Sequence, residues 1–291
     1  MGGIRKPNFM CIGAAKSGTT TLYDILRQHN DIFIPSFKEP HFFDIPSVYE
    51  NGLKWYLKTY FSNVKNEKCI GDFTPTYLFE KEAPKRIFNY LGPDMKFIVI
   101  LRNPVDRAYS HYLHSKRDEH EHLNFEEAIL TKPDERDYLT FLRRSYIEQG
   151  QYFDMLSRYL EFFSKENFLM LNFEEDIVNT KDDTLERILL FLDLEYQNLD
   201  TNIDSNKASV AKFIWLKQFM KKTGWWRRVL KSIIPSLKIR QIIKNRIQRA
   251  NIRTFKPVEL EVAFRKELYN KFYAKNVKNL EELIERKMNW N

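Results

Sequence analysis

The feature that most constrains this chain is an apolar run, Phe9 to Ala14, that leads through Gly13-Ala14-Ala15-Lys16-Ser17-Gly18-Thr19-Thr20 into TTTLYDILRQH. A short apolar run bounded by Gly-containing sequence reads as a buried strand, and Leu22, Ile25 and Leu26 recur at helical spacing. The turn between strand and helix is a place where backbone N–H groups and the helix dipole converge on an anion, with a phosphate as the natural guest. Gly13 and Gly18 permit tight backbone geometry, Lys16 supplies a movable cation, and Ser17, Thr19 and Thr20 offer hydroxyl donors. The loop fails the nucleotide pattern GxxxxGK[ST], because Lys16 precedes Gly18 by two residues. That order counts against a kinase or nucleotidase.

Two more units repeat the strand-loop-helix arrangement. KFIVILRN (Lys96 to Asn103) leads into PVDRAYSHYLHSKRDEH, with Pro104 placed to open a helix, and NFLMLNFEED (Asn167 to Asp176) precedes TLERILLFLDL. Alternation of strands and helices implies parallel pairing. The expected fold is therefore α/β: a P-loop-like domain with a central parallel β-sheet flanked by helices, and a helical C-terminal extension after Val258. At 291 residues and 43% hydrophobic content, a single domain over 1–291 has ample core. No run reaches the roughly 18 apolar residues of a membrane span, so a soluble, cytoplasmic protein without a cleaved signal is expected. Cys11 and Cys69 lie in apolar runs, without a CxxC pair or a Cys/His cluster, and read as buried thiols with no metal site.

Charge is unevenly spread. The chain is +8 overall, yet residues 205–256 hold 15 Lys and Arg and no Asp or Glu, so the remainder is net acidic. This segment reads as basic amphipathic helices interrupted by Gly224 and Pro235. It could pack its apolar side on the domain, lie on an anionic membrane surface peripherally, or guide an acidic polysaccharide or donor. No helix-turn-helix, zinc-finger or RNA-binding signature accompanies it, so nucleic acid is not an expected partner.

Three segments together, AAKSGTT with LYDIL, KEPHFFD (Lys38 to Asp44) and ILRNPVDRAYSHY (Ile100 to Tyr112), resemble the sulfotransferases that use 3′-phosphoadenosine 5′-phosphosulfate (PAPS). The resemblance runs from about Phe9 to Leu194 and is to the branch of heparan sulfate glucosaminyl sulfotransferases and their bacterial relatives. It implies transfer of a sulfuryl group to an acceptor hydroxyl, leaving adenosine 3′,5′-bisphosphate (PAP), with no metal required. By the same resemblance, Lys16, Ser17, Gly18, Thr19 and Thr20 hold the 5′-phosphosulfate end. Arg102 and Ser110 grip the 3′-phosphate, and Tyr152 lies toward the adenine, while an amphipathic helix with Tyr152, Leu156, Tyr159 and Phe163 toward the core explains that spacing equally well. Glu39 becomes the general base, Lys16 offsets charge on the leaving group, and His41 and Asp44 support Glu39. A packing role is the alternative for His41, Phe42 and Phe43 are expected in the core or cleft wall, and Lys38 either faces solvent, the preferred reading, or steers the donor or acceptor.

The sequence also departs from the family. Where animal glycan enzymes often carry EKTPxYF, this chain reads Gly71-Asp72-Phe73-Thr74-Pro75-Thr76-Tyr77, so Phe73 replaces a lysine expected in the acceptor cleft. The C-terminal Lys-Gly-Arg type loop is not recognisable, with Lys207 or Arg253 as possible substitutes. A glycan hydroxyl is the favoured acceptor, a lipid or small-molecule alcohol the next. The rival outside enzymology is a non-catalytic polyanion- or membrane-binding protein on the same scaffold.

Overall fold

A computed structural model of the chain describes residues 4–203, 209–211, 252–254 and 259–290. Strand β1 (Phe9–Gly13) is buried at every position and sits in the middle of a five-stranded sheet. The order is β2 (Ile32–Phe33), β3 (Cys69–Phe73), β1, β4 (Lys96–Leu101) and β5 (Phe168–Asn172), and every pair is parallel. Parallel neighbours need crossovers, which place helices on both faces. Side chains alternate accordingly: Phe9, Cys11, Ile98 and Ile100 pack under α1 (Thr19–Leu26) and α9 (Lys181–Phe191). Met10, Ile12, Phe97, Val99 and Leu101 face the other layer, which includes Ile87, Val105, Tyr152, Leu156, Tyr159 and Leu280.

The second layer is built from α4 (Ala83–Leu91), α5 (Pro104–Arg117), α8 (Tyr152–Leu160), α10 (Val262–Phe272) and α11 (Ala274–Ile284). Pro104 opens α5, where its missing N–H costs nothing. The helical C-terminal extension is present as α10 and α11, and the central parallel sheet with flanking helices matches the expected class.

From β1 the chain moves outward to β2, returns to β3, then crosses to β4 on the other side of β1. Ligands in open α/β sheets bind outside the carboxyl ends of strands where the order reverses. Here that point is between β1 and β4, whose ends are tied by Ala14 N–H donating to the Ile100 carbonyl at 2.7 Å. Gly13 is required there, since a Cβ would come within 2.7 Å of the Leu78 side chain. The loop at Lys16 and the arginine at Arg102 are thus delivered side by side.

Two local expectations change. NFLMLNFEED does not stay extended to Asp176; β5 ends at Asn172 and Phe173–Asn179 coil into a π-helical turn. Asn172 causes the break, its side chain accepting from the N–H groups of Glu174 and Glu175. The chain also divides into two compact units, 206–259 forming the second. Within it, β6 (Ser209–Ala211) pairs antiparallel with β7 (Ile252–Thr254), where helices were expected. Val210, Ile252 and Thr254 are β-branched, which favours strand. The rest of the basic segment, with Lys207, Gly224 and Pro235, lies outside the described residues. Among the described residues, no helix is long and apolar enough to cross a membrane.

Candidate active site

The loop between β1 and α1 turns through two left-handed residues, Lys16 at φ 72° and Gly18 at φ 85°, the latter capping α1. A Cβ on Gly18 would meet the Phe173 ring at 2.9 Å, so this glycine serves both backbone and packing. Ser17 is fully buried and its Oγ has no hydrogen-bond partner. Thr19 is buried and Thr20 half-buried. Lys38, expected in solvent, instead donates through Nζ to Thr20 Oγ1 at 2.7 Å and pairs with Glu39 at 3.4 Å. Its reach across to the loop is set by the chain path after β2, which sequence adjacency does not reveal.

Glu39 (φ 62°) and His41 (φ 53°) both adopt the left-handed conformation, a cost of about 1–3 kcal/mol each that the surroundings must offset. Several contacts do so. Phe42 and Phe43 are fully buried, Phe42 stacking on Tyr56 at 4.5 Å, and Arg86 donates to the Phe43 carbonyl at 2.8 Å. The Phe42 N–H donates to the Tyr77 hydroxyl at 2.9 Å. Tyr77 in turn donates to the fully buried Asp72, which also accepts from Tyr56 at 2.6 Å and Thr74 at 2.7 Å. Burial outweighs those hydrogen bonds and pushes the Asp72 carboxyl up to about 6.

His41 bridges two carboxylates. Its Nδ1 lies 2.8 Å from Asp44 Oδ2 and its Nε2 lies 3.6 Å from Glu39 Oε2. Asp44 is fully buried and accepts a further short bond from Thr76. Burial works against the imidazolium, but Asp44 and Glu39 together push His41 up to about 10. Burial likewise works against an ionised Glu39, yet His41 and Lys38 outweigh it and hold that carboxyl below its ordinary value. A carboxylate ionised at neutral pH and a protonated histidine result.

At the end of β4, Arg102 donates through Nη1 to the Lys16 carbonyl at 3.0 Å and lies over the Phe173 ring at 4.8 Å. Its Nε is buried without a hydrogen bond. Ser110 is half-buried on α5, and among the described residues its hydroxyl has no hydrogen-bond partner. Tyr152 is fully buried and donates to the Arg102 carbonyl at 2.9 Å, so it braces the strand end from behind. Met155, Leu156, Tyr159 and Phe163 are buried around it, as the helical spacing requires. Phe73 does not line a cleft. It is 1% exposed, edge-on to Phe9 and Tyr23 beneath α1, so its side chain cannot replace a cation at the acceptor side.

Burial lowers Lys16 to about 8, with Arg117 and Arg102 repelling its charge and Glu39 partly opposing them. Burial and the charges of Lys16 and Arg117 also push His114 down to about 4. Cations are thus gathered at a loop whose buried Ser17 Oγ and Arg102 Nε lack partners, an arrangement that a phosphate- and sulfate-bearing donor would satisfy. The residues fit the expected donor. Sequence reasoning missed Phe173, Thr76 and the Asp72–Tyr77 pair, all of which act through contacts distant in sequence. For Lys38, whose place is beside Glu39, a steering role is one of two sequence readings, and solvent is the preferred one.

The family model for the sulfotransferase domain matches residues 6–226. Membrane-associated sulfotransferase kil1 of Dictyostelium discoideum is 37% identical over 50% of this chain and 34% of its own length. Bifunctional heparan sulfate N-deacetylase/N-sulfotransferase 4 of Mus musculus is 35% identical over 57% of this chain and 20% of its own length. For heparan sulfate glucosamine 3-O-sulfotransferase 3B1 of Homo sapiens the figures are 32%, 71% and 51%. The chain thus spans about half or less of the length of these curated relatives. A crystal structure of a sulfotransferase from Alicyclobacillus acidocaldarius superposes with a TM-score of 0.69 at 28% identity, covering 99% of each chain.

Proposed function

The chain belongs to the sulfotransferase domain family, and from that premise we propose that it transfers a sulfuryl group from PAPS to a hydroxyl of a carbohydrate acceptor. The observation that carries this reading is geometric: Arg102 donates to the Lys16 carbonyl at 3.0 Å, and Lys38 ties the same loop, through Thr20 at 2.7 Å, to Glu39 at 3.4 Å, which the His41–Asp44 pair supports. Bound PAPS supplies an activated sulfur whose bond to the phosphate oxygen breaks as the acceptor oxygen bonds to it, releasing PAP. Lys16, with Ser17, Gly18, Thr19 and Thr20, holds the phosphosulfate end, and Lys16 offsets the negative charge left on the departing oxygen. Arg102 and Ser110 take the 3′-phosphate. Tyr152 enters by bracing Arg102.

The proton of the acceptor hydroxyl goes to Glu39. His41, pushed up to about 10, is already protonated at neutral pH and has no capacity to take it. Glu39 is a weak base at rest, but the hydroxyl becomes far more acidic as its oxygen bonds to sulfur, and transfer to a positioned carboxylate is then favourable. A carbohydrate acceptor is supported by the KEPHFFD segment and by relatives named for heparan sulfate. The test is Glu39→Gln. Turnover with PAPS and a glycan acceptor should fall by about 10²–10⁴, while PAP binding stays within a factor of about 3. Undiminished turnover would remove Glu39 from the mechanism.

A further inference from the structure

The C-terminal segment is tied to the strand ends that carry the donor site. Asn103 and Asn172, directly after β4 and at the end of β5, act alike. Each Oδ1 accepts from the backbone N–H groups two and three residues on, and each Nδ2 grips the tail. Asn103 donates to the Trp290 carbonyl at 2.7 Å and Asn172 to the Met288 carbonyl at 3.2 Å. Arg286 anchors the same stretch through Asp176 at 2.7 Å and Glu175 at 2.7 Å. Trp290 is 6% exposed, its ring 5.9 Å from that of Tyr152.

Glu174 links this tail to Arg102. One carboxylate oxygen accepts from the Asn103 N–H at 3.3 Å and lies 4.0 Å from Arg102 Nε. The other accepts from the Trp290 indole N–H at 3.1 Å. The carboxylate is therefore close enough to aim the guanidinium and held too far to hydrogen-bond its Nε. A direct Glu174–Arg102 bond would occupy a donor that a phosphate needs and cancel part of the charge that attracts it.

We propose that Trp290 and Glu174 are positioning residues for donor selectivity: the indole restrains Glu174 so that Arg102 stays available to the 3′-phosphate. The proposal rests on the PAPS reading of the site. Without the indole donor, Glu174 closes on Arg102 and competes with the ligand. Trp290→Phe keeps an aromatic ring against Tyr152 while removing the N–H and part of the indole's volume, so it is preferred to Trp290→Ala, which empties the packed position.

The experiment is calorimetric titration of PAP and of adenosine 5′-phosphate into wild type, Trp290→Phe and Trp290→Phe/Glu174→Gln. Wild type should prefer PAP; equal binding of the two would refute the underlying donor reading and the proposal with it. Given that preference, Trp290→Phe should weaken PAP about tenfold and leave adenosine 5′-phosphate unchanged. The double variant should recover most of the loss, because glutamine carries no charge to pair with Arg102. An unchanged ratio in Trp290→Phe, equal weakening of both ligands, or no recovery in the double variant would each overturn the proposal while leaving the donor reading intact.

Discussion

Lys16 and Glu39 set opposite edges of a pH window. Glu39 is held below the ordinary carboxylate value, so its ionised form persists until the pH falls into the acid range. Lys16 is lowered to about 8 by burial and by Arg117 and Arg102, so its charge is lost as pH rises through that value. In the free enzyme kcat/KM should therefore be level between about pH 5 and 7 and decline above about 8. The dianionic phosphosulfate end of the bound donor favours protonated Lys16, which moves the same limb to higher pH in kcat. A pH–rate series read separately for kcat/KM and kcat checks this; alkaline limbs at the same pH would contradict it. The residues proposed for the chemistry were legible at this scale because they fall in short contiguous motifs, Gly13 to Thr20 and Lys38 to Asp44. Their supports were not. Thr76, Tyr77 and Asp72 act on the 39–44 loop from about thirty residues away, and Phe73 reads as a cleft position until its ring is found in the core.

Among the elements, β1, β4 and α5 were readable because each has an uninterrupted apolar run or a helix start marked by Pro104. Strand β2 has only two residues, and β3 contains Gly71 and Asp72, which break the apolar pattern. The polar break is tolerated because the hydroxyls of Tyr56, Thr74 and Tyr77 converge on Asp72. The π-helical turn after β5 was hidden for a related reason, since Asn172 reads as part of a strand until its side chain is seen capping Glu174 and Glu175. That turn meets the β1–α1 loop at Gly18, where Phe173 fills the space a Cβ would need. Gly18→Ala should cost about 1–3 kcal/mol from the left-handed backbone alone, with added loss from the displaced ring. Thermal denaturation should show a lowered Tm and calorimetry a weakened affinity for PAP; a variant with unchanged Tm and affinity would show that the β1–α1 loop is not packed as described.

For the whole molecule, strand order does what no single motif can. Placing β1 between β3 and β4 brings the Lys16 loop next to Arg102, while the segment after β2 carries Glu39 and Lys38 to the same edge. The tail returns to that edge through Trp290 and Met288, so residues from the first and last parts of the chain share one site. We propose that this site is built for a nucleotide bearing a 3′-phosphate, with the cations of this chain, not a metal, holding it. The most direct test is calorimetric titration of PAP and of ADP, each with and without magnesium. PAP should bind tightly with or without magnesium and ADP much more weakly, whereas a preference for ADP that requires magnesium would overturn the donor assignment in favour of a kinase-like one.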